Sequence, residues 1–140
     1  MNREAIYSAL FAKLSAIPGL KTKSRRLKHW SDVDKSAQPA LFMAQTGETA
    51  QTTTGQPTRW TFKVDVYLYA RTDGNLVPGT IINSLLDAIC DALKPSPITG
   101  RVDLGIQGVE WCRIDGQIET DEGTLGDQAV AIVPIIILTS

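Results

Sequence analysis

The segment 59–70 constrains this chain more than any other. Its apolar residues are Trp60, Phe62, Val64, Val66, Leu68 and Ala70. Arg59, Thr61, Lys63, Asp65, Tyr67 and Tyr69 fall between them. Strict period-2 alternation predicts a strand with one face in a core and the other toward water. Thirteen residues counted from Thr58 span roughly 40 Å if straight, against a usual strand of about five or six residues. In a small domain such a strand curves or projects beyond the core. A projecting hairpin offers surface to a neighbour, which points to an assembly part before an enzyme.

The 140 residues fit one domain, 1–140, and can bury a real core. A net charge of −1 gives no global attraction to nucleic acid or an anionic membrane. Cys90 and Cys112 form no CxxC pair, and their apolar neighbours predict two reduced core thiols. Arg3, Glu4 and Lys13 interrupt the first apolar residues, so no signal peptide is expected. The apolar run 129–138 is about half of a bilayer span and reads as a buried strand.

Residues 2–17 read as a helix with Asn2 as N-cap and a stripe of Ile6, Leu10, Leu14 and Ile17, with Tyr7 and Phe11 on its flank. Pro18-Gly19 ends it. Lys21, Lys23 and Arg25 alternate as on an exposed edge strand, and a polar connection runs to Pro39. Residues 40–45 read as a short strand buried on both faces. Residues 46–57 lack apolar periodicity and read as a long flexible loop. After the long strand and a loop at 73–75, residues 80–93 form a second helix, stopped by Pro95. A connection follows over 95–108. Residues 109–120 read as a strand whose phase slips, the slip absorbed by Gly116 or a bulge. Residues 121–127 read as an acidic turn and 128–139 as the last strand, with Pro134 marking an edge or a bulge. The expected fold is α+β: a four- to five-stranded, mostly antiparallel sheet, two helices on one face, and a long projecting β-hairpin.

Catalytic signatures are sparse. His29, Ser31 and Asp32 are close in sequence but point different ways on an extended chain. His29, Cys90 and Cys112 lack metal-ligand spacing, and no Gly-rich phosphate loop or nucleophile elbow occurs. Glu119, Asp121 and Glu122 could hold a divalent ion, though carboxylates at a turn are more often solvated. No catalytic residue, cofactor or metal is assigned.

Charge is separated along the chain. Lys21, Lys23, Arg25, Arg26 and Lys28 form a basic segment; Asp115, Glu119, Asp121, Glu122 and Asp127 form an acidic one. Three readings follow: two solvated faces, nucleic-acid contact by the basic segment, or a head-to-tail contact between identical subunits that closes into a ring. Tyr67 and Tyr69, on the polar face of the long strand, are either interface residues or covered by a neighbouring loop.

The chain resembles the tail terminator proteins of long-tailed bacteriophages, also described as minor tail or tail completion proteins. The likeness rests on the first helix, Ser24-Arg25-Arg26-Leu27-Lys28-His29-Trp30-Ser31-Asp32-Val33, Gln38-Pro39-Ala40-Leu41-Phe42, and the long alternating strand. It continues through Leu85-Leu86-Asp87-Ala88-Ile89, Asp121-Glu122-Gly123 and Gly126-Asp127-Gln128-Ala129. The resemblance implies a non-enzymatic virion protein, assembled in the bacterial host cytoplasm. It would form a hexameric ring at the head-proximal end of the tail tube, ending tube polymerisation and presenting a surface to the head completion protein. DNA would pass through without specific binding, and no membrane is involved. The expected subunit interface comprises Lys23, Arg25, Arg26, Lys28, Tyr67, Tyr69, Asp121, Glu122 and Asp127. Thr46, Glu48, Gln51, Thr53 and Gln56 would dock the flexible loop to tube or head. Glu119, Asp121 and Glu122 would line the channel, a role that competes with the subunit contact assigned to the same turn. The rival readings are a head completion or neck protein, a nucleic-acid-binding module using residues 21–28, and a small enzyme using His29 or the carboxylates near Glu119.

Overall fold

A computed structural model describes every residue except Asn75, Asp103 and Ser140. The end of the expected 73–75 loop at Asn75 and one residue of the 95–108 connection therefore lie outside the described residues. The elements are α1 (Arg3–Ser15), β1 (Thr22–Ser24), β2 (Ala40–Gln51), β3 (Arg59–Arg71), α2 (Pro78–Ala92), β4 (Val109–Ile114), β5 (Glu119–Gly123) and β6 (Gly126–Thr139). The fold is α+β: a mixed, mostly antiparallel sheet with two helices packed against it. Among the described residues it has six strands, in the order β1-β2-β3-β6-β4, with β5 also on β6, and of these only β1 and β2 run parallel. Because β4 and β5 share one side of β6, the sheet is five strands wide.

Asn2 caps α1, its Oδ1 accepting from the Ala5 N–H at 3.0 Å. The buried stripe of α1 is Ile6, Tyr7, Leu10 and Leu14, so Tyr7 belongs to the stripe and not its flank. Helix α2 begins two residues earlier than expected, with Pro78 in its first turn. Proline suits that position because the N–H it lacks would be unpaired there. The N-cap Val77 offers no side-chain bond. The Glu122 carboxylate, reaching across from β5, lies against Gly79, where a side chain would collide with it. A negative charge at this end of α2 complements the helix dipole.

The main core lies between the helices and one face of the sheet. It joins Leu10, Leu14, Ile82 and Ile89 to Phe62, Val64, Val66, Ala131, Val133, Ile135 and Ile137. These β3 residues are the apolar half of the alternation. Cys112 is in this core, but Cys90 is exposed on α2, contrary to expectation. It follows Ile89, whose side chain takes the inward position on the helix.

Three further expectations need correction. Residues 46–51 are not loop: they continue β2, paired with residues 59–63 of β3 past a bulge between Gln45 and Gly47. The cross-strand ladder supplies the order that apolar periodicity does not, and only residues 52–58 form the connection. Residues 109–120 are two strands, β4 and β5, with a break at 115–118 opposite Pro134. The Pro134 carbonyl accepts from the Asp115 N–H at 3.1 Å, so the donor that proline lacks would also face this side. Pro134 thus sits in the central strand, at the point where its neighbour is interrupted. Gly116, at φ 117°, lies beside the proline ring. Finally, 121–127 is no simple turn but the β5–β6 hairpin, and β6 begins at Gly126.

Candidate functional site

The second face of the sheet, away from the helices, holds the candidate site. Along β6, Val130, Ile132, Pro134, Ile136 and Leu138 point this way and alternate with the fully buried set. All five are only half-buried. The run 129–138 is therefore buried on one face alone, which corrects the expectation of a wholly buried strand. The reason is that the covering segment reaches only one end of this face.

That cover is residues 30–38, folded as two 3-10 turns, Trp30–Asp32 and Lys35–Ala37. Val33 packs with Ala40, Phe42 and Tyr69 in a second small cluster, flanked by Trp30, Tyr67 and Val130. A buried amide pair pins the segment. Gln38 Nε2 donates to Gln128 Oε1 at 3.0 Å, and Gln128 Nε2 donates to Gln38 Oε1 at 2.9 Å. Gln38 also donates to the Val33 carbonyl, and Gln128 to those of Ala70 and Ala129. Reciprocal bonding satisfies both amides, as burial requires. Lys35 forms an ion pair with Asp73 at the cover's far end.

Tyr69 is buried, at 3% exposure, and its hydroxyl donates to the Lys28 carbonyl at 2.6 Å. Burial first, then the nearby Tyr67, pushes its pKa up to about 12. Tyr69 is thus a core residue covered by the preceding segment, contrary to its assignment to an exposed interface; Tyr67 is half-covered. His29 is exposed and caps the first 3-10 turn, accepting from the Ser31 N–H through Nδ1. Its Nδ1 is 2.7 Å from Ser31 Oγ, so these two side chains do meet on the turn, which sequence spacing did not anticipate.

The candidate interface charges divide. Arg25 is engaged within the chain, bonded to Glu4 of α1 and to Gln45. Its guanidinium holds the Glu4 carboxyl below its ordinary range. Lys23, Arg26 and Lys28 are exposed and form no ion pair among the described residues. They lie on or next to β1, at one edge of the sheet. Glu119, Asp121 and Glu122 lie on β5, on the opposite side of the sheet order. Four inter-strand steps separate these edges, roughly 19 Å. Asp127 is exposed at the start of β6.

Glu119 and Asp121 face the second side, opposite Ile132 and Val130. Asp65 shares that face, and burial, aided by the charge of Glu119, raises its pKa. Between β5, β6 and the cover lies a cavity of about 350 Å³ walled by Trp30, Glu119, Asp121, Leu125, Val130 and Ile132. Asp121 Oδ1 is buried without a hydrogen-bond partner. Trp30 and this cavity were not foreseen, because nothing local in the sequence places Trp30 beside an acidic strand ninety residues on. No group of three or more His, Cys, Asp or Glu side chains among the described residues is placed to hold a metal ion.

Of the expected docking residues, Thr46, Glu48 and Gln51 are on β2, while Thr53 and Gln56 are in the hairpin connection. Glu48 is not free. It pairs with Arg3 at 2.9 Å and accepts from the Tyr7 hydroxyl at 3.0 Å. The Arg3 guanidinium also lies 4.8 Å from the Trp60 ring centre. The hairpin base is thereby fixed to the start of α1.

No family model matches the chain, and no curated protein is similar to it at a significant level. It is similar to a solved structure whose name states no function, at 14% identity and a TM-score of 0.56, covering 100% of this chain and 96% of the other. At that identity the likeness shows a shared fold alone. No helix among the described residues is long and apolar enough to cross a membrane.

Proposed function

We propose that this chain is a structural assembly protein that closes a ring of identical subunits and caps a phage tail tube at its head-proximal end. The observation that carries the reading is the placement of unpaired basic residues and of carboxylates at opposite edges of one sheet. Such a subunit is complementary to its own copy head to tail, and a heterologous contact closes into a ring when its rotation fits. The half-buried β6 column supplies apolar area for that contact, and the charges set register and encounter rate.

The resemblance to tail terminators names the ring and its partners, the tail tube protein and the head completion protein. The exposed margin of β2 beyond its pairing with β1 and the 52–58 connection offer polar backbone and side chains for docking to the tube or head. With β2 ordered as far as Gln51, this docking surface is largely preformed and little ordering entropy opposes binding. Glu119, on the second face, would repel passing DNA where that face lines the channel, whereas Glu122 is turned to the start of α2 and takes no part in it.

Electron microscopy of the purified chain should show rings of about six subunits, and adding it to growing tubes should stop elongation. Tubes that lengthen unchanged in its presence would overturn the capping role.

A further inference from the structure

We infer that the open edge of β2 along residues 45–51 takes up an extended, acidic-ended segment of a partner protein as an added strand, and that Arg26 and Lys28 receive its carboxylates. This rests on the docking part of the capping reading and deepens it by naming the mode of contact and the partner's chemistry. β1 flanks β2 only at Ala40, Leu41 and Phe42. Beyond Ser24 the chain leaves the edge for the second face, where the Lys28 carbonyl accepts from the Tyr69 hydroxyl. Residues 45–51 are exposed, and among the described residues their backbone pairs only with β3. An unpaired row of N–H and C=O groups is a template for another strand. Apart from the bulge between Gln45 and Gly47, this edge carries no blunting device. It holds no lysine or proline, whereas β5, across the sheet, carries Glu119, Asp121 and Glu122. Arg3 and the Tyr7 hydroxyl both fix Glu48, so the edge is preformed and little order has to be gained on binding.

The occupant follows from what borders the edge. Beside β1 lies an open cavity of about 700 Å³ lined by Thr22, Ser24, Arg26, Lys28 and Phe42. Arg26 and Lys28 are exposed and form no ion pair among the described residues. A strand antiparallel to β2, the slightly more stable pairing, runs from the 52–58 connection toward Ser24. Its C-terminal end arrives at these two cations, which favour carboxylates there. Backbone bonds supply affinity and the basic cavity supplies specificity. The open ladder favours a polypeptide over a nucleic acid, which has no peptide backbone to pair. The edge formed by β4 and β5 of a second copy does not fit. Both strands lie on β6, in line, while β1 stands one strand further out than residues 45–51 and blocks their approach.

The test is binding of a synthetic peptide, Thr-Val-Thr-Val-Thr-Val-Asp-Asp, to the full chain, read by calorimetry and by hydrogen exchange. Alternate amides within 45–51 should become protected. Changing the two terminal Asp of the peptide to Lys, or combining Arg26→Ala with Lys28→Ala in the chain, should weaken binding roughly tenfold, the loss of two exposed ion pairs. A peptide with Pro at its third and fifth positions cannot complete the ladder and should give no protection. Equal binding by the Pro peptide, or by single-stranded DNA, would reduce the site to a basic patch and overturn the added strand. Protection of 45–51 that grows with the concentration of the chain alone would assign the edge to a second copy instead. No protection by the acidic peptide overturns the inference outright. Growing tubes separate it from the capping reading. Arrested elongation with 45–51 exchanging as fast as in the free chain removes strand addition and leaves capping. Unchecked elongation with the peptide still protecting 45–51 removes capping and leaves the edge as a strand acceptor.

Discussion

The two faces of the sheet are filled in different ways. On the helix face, Val133, Ile135 and Ile137 of β6 are fully enclosed by α1 and α2. On the other, Ile132, Ile136 and Leu138 of the same strand are half-buried, and a polar amide pair, not a helix, holds the covering segment. One face holds the monomer together. The other is left half-covered within the chain. The contrast teaches that an apolar central strand does not guarantee burial on both sides within one chain.

The contrast can be broken most sharply by adjacent substitutions. Ile135→Ala should destabilise the monomer by about 2–5 kcal/mol, through lost burial and the cavity left behind. Ile136→Ala, one residue on, should lose about 1 kcal/mol or less, since much of its surface is already wet. Urea unfolding checks both, and equal losses would erase the distinction between the faces.

A smaller effect probes the cover. Gln38→Ala leaves Gln128 without its partner and should destabilise by about 1–3 kcal/mol. Hydrogen exchange should then show loosening confined to residues 30–38, with the helix-face core protected as before. Smaller again, Glu48→Ala removes the acceptor of the buried Tyr7 hydroxyl and the partner of Arg3, and should lose about 1 kcal/mol. Burial first, then this carboxylate, raises the Tyr7 pKa to about 12. A spectrophotometric titration of the variant should move the Tyr7 midpoint down.

The smallest effect is a pH dependence on the second face. Asp65 is raised above its unfolded pKa by burial and by Glu119. Its contribution is fully present below the unfolded pKa and is lost as pH rises through the folded one. Asp65→Asn should therefore be slightly more stable than wild type near pH 7, with the gap vanishing once pH falls below the unfolded pKa of aspartate. A gap that widens on acidification would contradict the burial assigned to this carboxyl.

Much of the fold was legible in the chain. The alternation of β3 and the Asn2 cap are local signals, and local signals suffice for elements. What escaped was set by partners far along the chain. Residues 46–51 look like loop because their order comes from pairing with β3. Tyr69 looks exposed because its cover comes from residues 28–42. Glu119 and Asp121 were marked as charged candidates, but Trp30 gave no hint of joining them. The β6 column did leave a trace: residues 129–138 are apolar at both parities, which shows that both faces avoid water without showing which one the chain covers itself.

The most direct measurement of the central claim is the mass of the particle against concentration, wild type beside Ile136→Asp. Wild type should reach about six subunits, and the variant should stay monomeric with a urea midpoint close to that of wild type. Two monomers at every concentration, or two identical assemblies, would contradict it.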